Sequence, residues 1–229
     1  MDREDILSRV AEIRRELAAC ARDPQHPPTL LPVTKTQPAQ RILALREAGI
    51  TAIGENRAQE ITEKYPALSG DFSFHLIGRL QTNKIKYIIG SVCMVQSVDR
   101  LDLAEALHAR AAREGLTLPV LAQVNIGGES RKAGVTPHEA EAFVRALARL
   151  SSLRVRGLMT VMPEADDPET IRPLFRAMRA LYELLRAQAI DGVTMDTLSM
   201  GMSGDWRVAA QEGATMVRIG AAIFGPREG

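Results

Sequence analysis

Apolar positions along the chain switch repeatedly between helical spacing and short continuous runs. The first segment places Ile6, Val10, Ile13 and Leu17 on one stripe, which predicts an amphipathic helix. After a proline-rich connection from Pro24 to Pro28, apolar or β-branched runs predict strands at Leu30–Thr34, Thr51–Ile53, Phe72–Leu76, Met94–Val98, Val120–Val124, Val155–Leu158, Thr197–Ser199 and Met216–Ile219. Between them the pattern predicts helices over Pro38–Ala48, Ala58–Lys64, Gln81–Ile88, Arg100–Glu114, Pro137–Leu150, Pro168–Ala189 and Asp205–Glu212. Several open with Pro and are followed by Gly, the usual punctuation of a helix. Strand–helix alternation argues for the α/β class with a parallel sheet. Eight such units closing on themselves make a (β/α)8 TIM barrel, with the first helix in the place of the one expected after the last strand. An open doubly wound sheet competes with it, but the G-x-G-x-x-G spacing that would favour a dinucleotide fold does not occur. No compositional break divides the chain, so one domain over residues 1–229 is expected.

In a barrel, ligands bind where strands end, so the residues closing each apolar run are the informative ones. They are Lys35, Glu55 with Asn56, His75, Ser97 with Asp99, Asn125, Met159, Met200 through Ser203, and Arg218 through Ala221. Lys35 closes the run Leu30-Leu31-Pro32-Val33-Thr34. An ordinary lysine, with a pKa of about 10.4, is neutral in roughly one molecule in a thousand near pH 7, and only the neutral amine attacks a carbonyl. Desolvation at a strand end would favour that form and make Lys35 a carbonyl-capturing amine. Snorkelling of its ammonium to solvent is the alternative. Residues 198–205, Leu-Ser-Met-Gly-Met-Ser-Gly-Asp, run from a strand into a helix through Gly201, Ser203 and Gly204, and a second glycine turn at Gly220 follows the last strand. Backbone N–H groups and a hydroxyl in such turns can cradle a phosphate, although Ser203 could equally be a plain helix cap. An amine facing a phosphate cradle matches the needs of pyridoxal 5′-phosphate. Arg218, a donor that does not deprotonate, would keep a facing pyridine nitrogen unprotonated; a structural ion pair is its other reading. His75 reads as an acid/base group, a ring neighbour or a hydrogen-bonded core histidine.

Composition narrows the partners. With 29 basic and 28 acidic residues there is no overall field to draw the chain onto nucleic acid or an anionic membrane. The charged N-terminus is unlike a signal peptide and no apolar stretch reaches membrane length, so a cytoplasmic location is expected. Cys20 and Cys93 form no paired spacing and read as inert thiols, and His26, His75, His108 and His138 show no metal spacing. Met195, Met200, Met202 and Met216 read as core filler by type, and Trp206 as helix packing. Gly78-Arg79-Leu80-Gln81-Thr82-Asn83-Lys84 lacks the second glycine and the hydroxyl of an NTP-binding loop. The stretch from Asn125 to Pro137 is expected to be a mobile loop on the active face.

Together these residues resemble the pyridoxal-phosphate homeostasis proteins, the YggS/PROSC family. The matching strings are Val33-Thr34-Lys35-Thr36, Gly54-Glu55-Asn56, His75-Leu76-Ile77-Gly78 with Leu80-Gln81-Thr82-Asn83-Lys84, Ser97-Val98-Asp99, Val124-Asn125-Ile126, Gly157-Leu158-Met159, Leu198 through Ser203, Met216 through Gly220, and Ile223-Phe224-Gly225. The resemblance implies a barrel of the alanine-racemase N-terminal type. It implies pyridoxal phosphate held as a Lys35 aldimine, phosphate contacts around Ser203, Gly220 and Ala221, and Arg218 near the ring nitrogen. Asn56, His75 and Met200 complete the expected cofactor-binding set. It also ties Lys84 to cofactor exchange. Phe74, Arg57 and Ala221 stand where the family often has Trp, an aromatic, and Thr or Ser; losing the last hydroxyl removes one phosphate bond but leaves the backbone N–H. The implied role is vitamin B6 and amino-acid homeostasis without established catalysis, with apo pyridoxal-phosphate enzymes as partners and a monomeric state. The alternative is an amino-acid racemase; its second base would come from a C-terminal β domain, for which the sequence after the barrel leaves no room. A lysine aldolase is a third class, one that would not need the phosphate turns.

Overall fold

The computed structural model describes residues 3–129 and 131–225. Helix α1 (Arg3–Cys20) buries Ile6, Val10, Ile13 and Leu17, as their spacing requires. The strands are β1 (Thr29–Pro32), β2 (Ala52–Glu55), β3 (Ser73–Leu76), β4 (Val92–Val98), β5 (Leu118–Gln123), β6 (Leu153–Met159), β7 (Val193–Ser199) and β8 (Met216–Ile219). Between them run α2 (Ala39–Glu47), α3 (Ala58–Leu68), α4 (Ile85–Ile88), α5 (Leu101–Arg113), α6 (Ala140–Ala148), α7 (Arg172–Ala187) and α8 (Trp206–Gln211), and a short α9 (Ala221–Phe224) follows β8. All strand pairs are parallel, each strand lying beside its sequence neighbour, and β1 also pairs with β8. Among the described residues β1 and β2 meet through one bridge, Val33 to Gly54, which closes the barrel. Helix α1 packs against α2, α8 and α9, the place anticipated for a helix after the last strand.

The main core lies between the outer face of the strands and the helices, while Met94, Leu121 and Met159 form a separate cluster inside the barrel. Residues alternate between these two environments along each strand. That alternation decides which side chains reach the mouth of the barrel.

Some boundaries differ from expectation for local reasons. The helix expected at Gln81–Ile88 divides into a 3-10 turn at Thr82–Lys84 and α4. The helix expected from Pro168 likewise opens with a 3-10 turn, Pro168–Ile171, where the Asp167 side chain accepts from Glu169 N–H at 2.9 Å. Helix α6 begins after a reciprocal cap in which Thr136 Oγ1 accepts from Glu139 N–H at 3.3 Å and the Glu139 carboxylate accepts from Thr136 N–H at 3.0 Å. Helix α3 runs on to Leu68 with Pro66 in its last turn. Among the described residues no helix is long and apolar enough to cross a membrane.

Candidate cofactor site

The C-terminal ends of the strands open into a cleft of about 1280 Å³, lined by Lys35, Asn56, Ser203, Arg218, Gly220 and Ala221 among others. Two residues expected there are elsewhere. Ser199 points into the barrel, so by strand alternation Met200 points out, where it is fully buried in the main core; Met202 lines the cleft instead. His75 is also absent from the cleft wall and lies within the barrel interior.

There His75 belongs to a hydrogen-bonded relay that spans the lumen. Arg218 NH1 donates to Ser199 Oγ at 2.6 Å, Ser199 Oγ donates to Gln96 Oε1 at 2.7 Å, and Gln96 Nε2 donates to His75 Nδ1 at 2.9 Å. These residues come from β8, β7, β4 and β3, and a contact between β4 and β7 can only cross the barrel. A guanidinium has donors alone, so Ser199 Oγ accepts from Arg218. The hydroxyl proton goes to the amide oxygen of Gln96, whose NH2 faces His75 Nδ1 and Met216 Sδ. The imidazole is therefore neutral with its proton on Nε2. Burial acts the same way, holding the His75 pKa down at about 4.

Arg218 is buried as a charge. Its NH2 donates to Thr160 O at 2.7 Å, and its bonded partners are thus neutral. Burial pushes its pKa down to about 10, opposed by the charge of Asp205, so it remains a cation near neutral pH. Asp205 is itself raised by burial, against the pull of the Met202 N–H and the Arg218 charge. Its Oδ1 accepts from Met202 N–H at 2.5 Å and shapes the turn after β7.

That turn and the one after β8 share Ser203, whose Oγ accepts from Gly220 N–H at 3.2 Å and Ala222 N–H at 3.4 Å. The backbone N–H groups of Ser203, Gly204 and Ala221 have no protein acceptor among the described residues. Helices α8 and α9 have six and four residues, so clustered N–H groups, rather than a long helix dipole, make this an anion cradle. Gly201 has φ +96°, and a Cβ there would lie 2.5 Å from Ala209 Cβ, so the turn requires glycine.

Lys35 follows the closing bridge and is half-buried at the cleft edge. The sequence reading missed what surrounds it. Lys64, on α3, donates to Thr34 O at 2.8 Å, Glu55 Oε1 at 2.7 Å and Glu60 Oε2 at 2.9 Å. Thr34 Oγ1 donates to Glu55 Oε1 at 2.5 Å, and Thr36 N–H donates to Glu60 Oε2 at 2.6 Å. Burial raises Glu55 above the usual carboxylate range despite these bonds. Burial also acts upward on Glu60, but the Thr36 N–H and Lys64 outweigh it and hold the carboxylate low. The i, i+4 spacing of Glu60 and Lys64 was the available signal; the link to Glu55 and Thr34 was not visible in one dimension.

Other candidates have structural partners. Ser97 Oγ donates to Gly78 O at 2.6 Å and Asp99 pairs with Arg100 at 2.7 Å. Lys84 is exposed beside Tyr87, 5.7 Å from the ring centroid, and does not line the cleft. The loop expected to be mobile folds back on its own strand: Asn125 N–H donates to Val135 O and Val135 N–H to Gln123 O, both at 2.9 Å, while Lys132 reaches Met162 O at 2.8 Å. Ser130 of that loop lies outside the described residues. Cys93, expected inside an apolar run, is exposed at the start of β4 and Cys20 is half-buried. Among the described residues no His, Cys, Asp and Glu cluster could hold a metal ion.

The chain matches the family described as alanine racemase, N-terminal domain, over residues 8–228. The pyridoxal phosphate homeostasis protein of Aquifex aeolicus is 41% identical over 223 residues, covering 97% of both chains. The chain belongs to this family. Among solved structures, an unknown protein from Bifidobacterium adolescentis superposes with a TM-score of 0.89 at 34% identity, over 98% of this chain and 97% of that one. PipY of Synechococcus elongatus PCC7942, solved with PLP bound, gives a TM-score of 0.83 at 32% identity over 96% of this chain and 100% of that one. Both structures share the barrel with this chain at about a third sequence identity.

Proposed function

We propose that the chain holds pyridoxal 5′-phosphate in this cleft, with Lys35 as the capturing amine, and serves intracellular vitamin B6 and amino-acid homeostasis as one barrel domain over residues 1–229. The observation that carries the reading is the meeting of a strand-end amine, an anion cradle and a donor-only cation in one cleft. The PLP-bound PipY and the homeostasis proteins similar to this chain support it. Pyridoxal phosphate supplies an aldehyde that condenses with a lysine amine, releasing one water, and a phosphate dianion.

The residues present fit that group. The N–H groups of Ser203, Gly204 and Ala221, with the Ser203 hydroxyl, offer donors suited to a phosphate, and Gly220 keeps the backbone close to Val33. Arg218 is fixed by Ser199 and Thr160, and any group it meets in the cleft must accept a hydrogen bond. Asn56 adds a polar side chain at the end of β2. His75 and Met200 are buried away from the cleft, His75 inside the barrel and Met200 in the main core. Two unpaired cysteines suit a reducing compartment such as the cytoplasm. Apo enzymes requiring the same cofactor are the natural recipients.

Incubation with pyridoxal phosphate should produce an imine absorption band, and borohydride should then fix one pyridoxyl group on Lys35. A label elsewhere, or none, refutes the assignment. Transfer to an apo-enzyme in the presence of a trap for free cofactor separates delivery from storage, and stereospecific exchange of an amino acid's α-hydrogen at enzymatic rates would point to a racemase instead.

A further inference from the structure

We propose that Lys64 is a positioning residue for Lys35, clamping the backbone on both sides of it so that its amine meets the aldehyde in a productive geometry. The proposal rests on the reading of Lys35 as the capturing amine. The clamp lies at the end of β1. The strand itself stops at Pro32, and Lys35 sits two residues past the bridge from Val33 to Gly54. On its N-terminal side the carbonyl of Thr34 is held by the Lys64 ammonium at 2.8 Å, and the Thr34 hydroxyl by Glu55 at 2.5 Å. On its C-terminal side Thr36 takes a left-handed conformation, φ +64°, unusual for a β-branched residue, and its N–H is held by Glu60 at 2.6 Å. One ammonium joins both halves, since Lys64 binds Glu55 and Glu60 as well as Thr34.

Lys64 and its partners are well buried, with side-chain exposures of 11% for Lys64, 0% for Glu55 and 17% for Glu60. Their bonds are therefore little screened by solvent and suited to fixing a backbone. Removing the ammonium frees the Thr34 carbonyl and leaves two carboxylates without their shared cation, so residues 34–36 should relax. The phosphate cradle, in the turns after β7 and β8, shares no hydrogen bond or ion pair with Lys64, Glu55 or Glu60 among the described residues and should be untouched.

The test compares the wild-type chain with Lys64→Met and Glu60→Gln. Capture is followed as the second-order rate of imine formation with pyridoxal 5′-phosphate, and non-covalent binding with pyridoxine 5′-phosphate, which has the phosphate but no aldehyde. Lys64→Met should slow capture by about ten- to a hundredfold, the scale of a misplaced reacting group, with pyridoxine phosphate affinity changed less than about twofold. Glu60→Gln, which keeps a weaker hydrogen bond to Thr36, should slow it less. Unchanged capture in Lys64→Met overturns the proposal, as does an equal loss of capture and of pyridoxine phosphate binding, which marks general disruption. Should Lys64→Met fail to fold, Glu60→Gln decides: selectively slower capture supports the clamp and wild-type capture rates refute it. If the wild-type chain itself captures nothing, the reading of Lys35 fails instead.

Discussion

Lowering the pH from 7 to 5 should destabilise the fold through His75, and His75→Gln should remove that part of the pH dependence. The imidazole is buried, it accepts from Gln96 on Nδ1, and its pKa is held at about 4, against about 6.5 in an unfolded chain. Between these values the unfolded state binds the proton and the folded state does not. The stability is thus fully present above about pH 6.5 and is lost as the pH falls towards 4. A gap of this size corresponds to about 3 kcal/mol once the pH lies below both values, of which about 2 kcal/mol is lost between pH 7 and pH 5. Urea unfolding of both proteins at half-unit intervals measures it. Buried Glu55 and Asp205 have raised pKa values and act in the opposite sense, gaining stability on acidification, but they titrate in both proteins and cancel in the difference. The stability advantage of wild type over His75→Gln should shrink by about 2 kcal/mol from pH 7 to pH 5. A difference that stays flat within about 0.5 kcal/mol, or widens on acidification, would refute both the neutral imidazole and the direction of the relay.

Further outcomes test other parts of the site. Ser199→Ala should cost about 1–3 kcal/mol in urea unfolding, because it leaves Gln96 Oε1 without its donor and Arg218 NH1 without an acceptor in the interior. In a double-mutant cycle with Gln96→Leu the two losses should fall short of additivity, since both break the same relay. Gly201→Ala should destabilise by about 2 kcal/mol or more, being strained at φ +96° and in collision with Ala209, whereas Gly204→Ala, with nothing within 4 Å of its Cβ, should stay within about 0.5 kcal/mol of wild type. Ser203→Ala should weaken pyridoxine phosphate binding in calorimetry by about tenfold, the loss of one charge-assisted hydrogen bond, without preventing capture on Lys35.

Much of this molecule is readable from its order of residues because barrels are built from local, repeating units. The stripe Ile6, Val10, Ile13, Leu17 and the run from Met216 to Ile219 each declare an element without help from distant residues, and eight repeats leave few ways to close. Since βα turns all open at one end, the residues after each run could be assembled into a site before any contact was known. Lys35, Asn56, Ser203, Arg218, Gly220 and Ala221 do meet in one cleft. Met200 was misplaced by one step of strand alternation, a matter of phase that the irregular turn after Ser199 obscures.

What only the tertiary structure decided is pairing across the barrel. Gln96 carries no motif, yet it joins Ser199, 103 residues away, to His75 and so settles where the imidazole proton resides. Lys64 reads as an ordinary helix lysine until α3 lies against β2 and its ammonium reaches Glu55 and the Thr34 carbonyl. The periodic pattern of apolar residues determined the elements, their order and the end of the barrel that carries the chemistry, because burial of one face is a local demand. The partners of the buried polar groups were decided by closure of the barrel, because a hydrogen bond is short and directional and its two ends can come from any part of the chain.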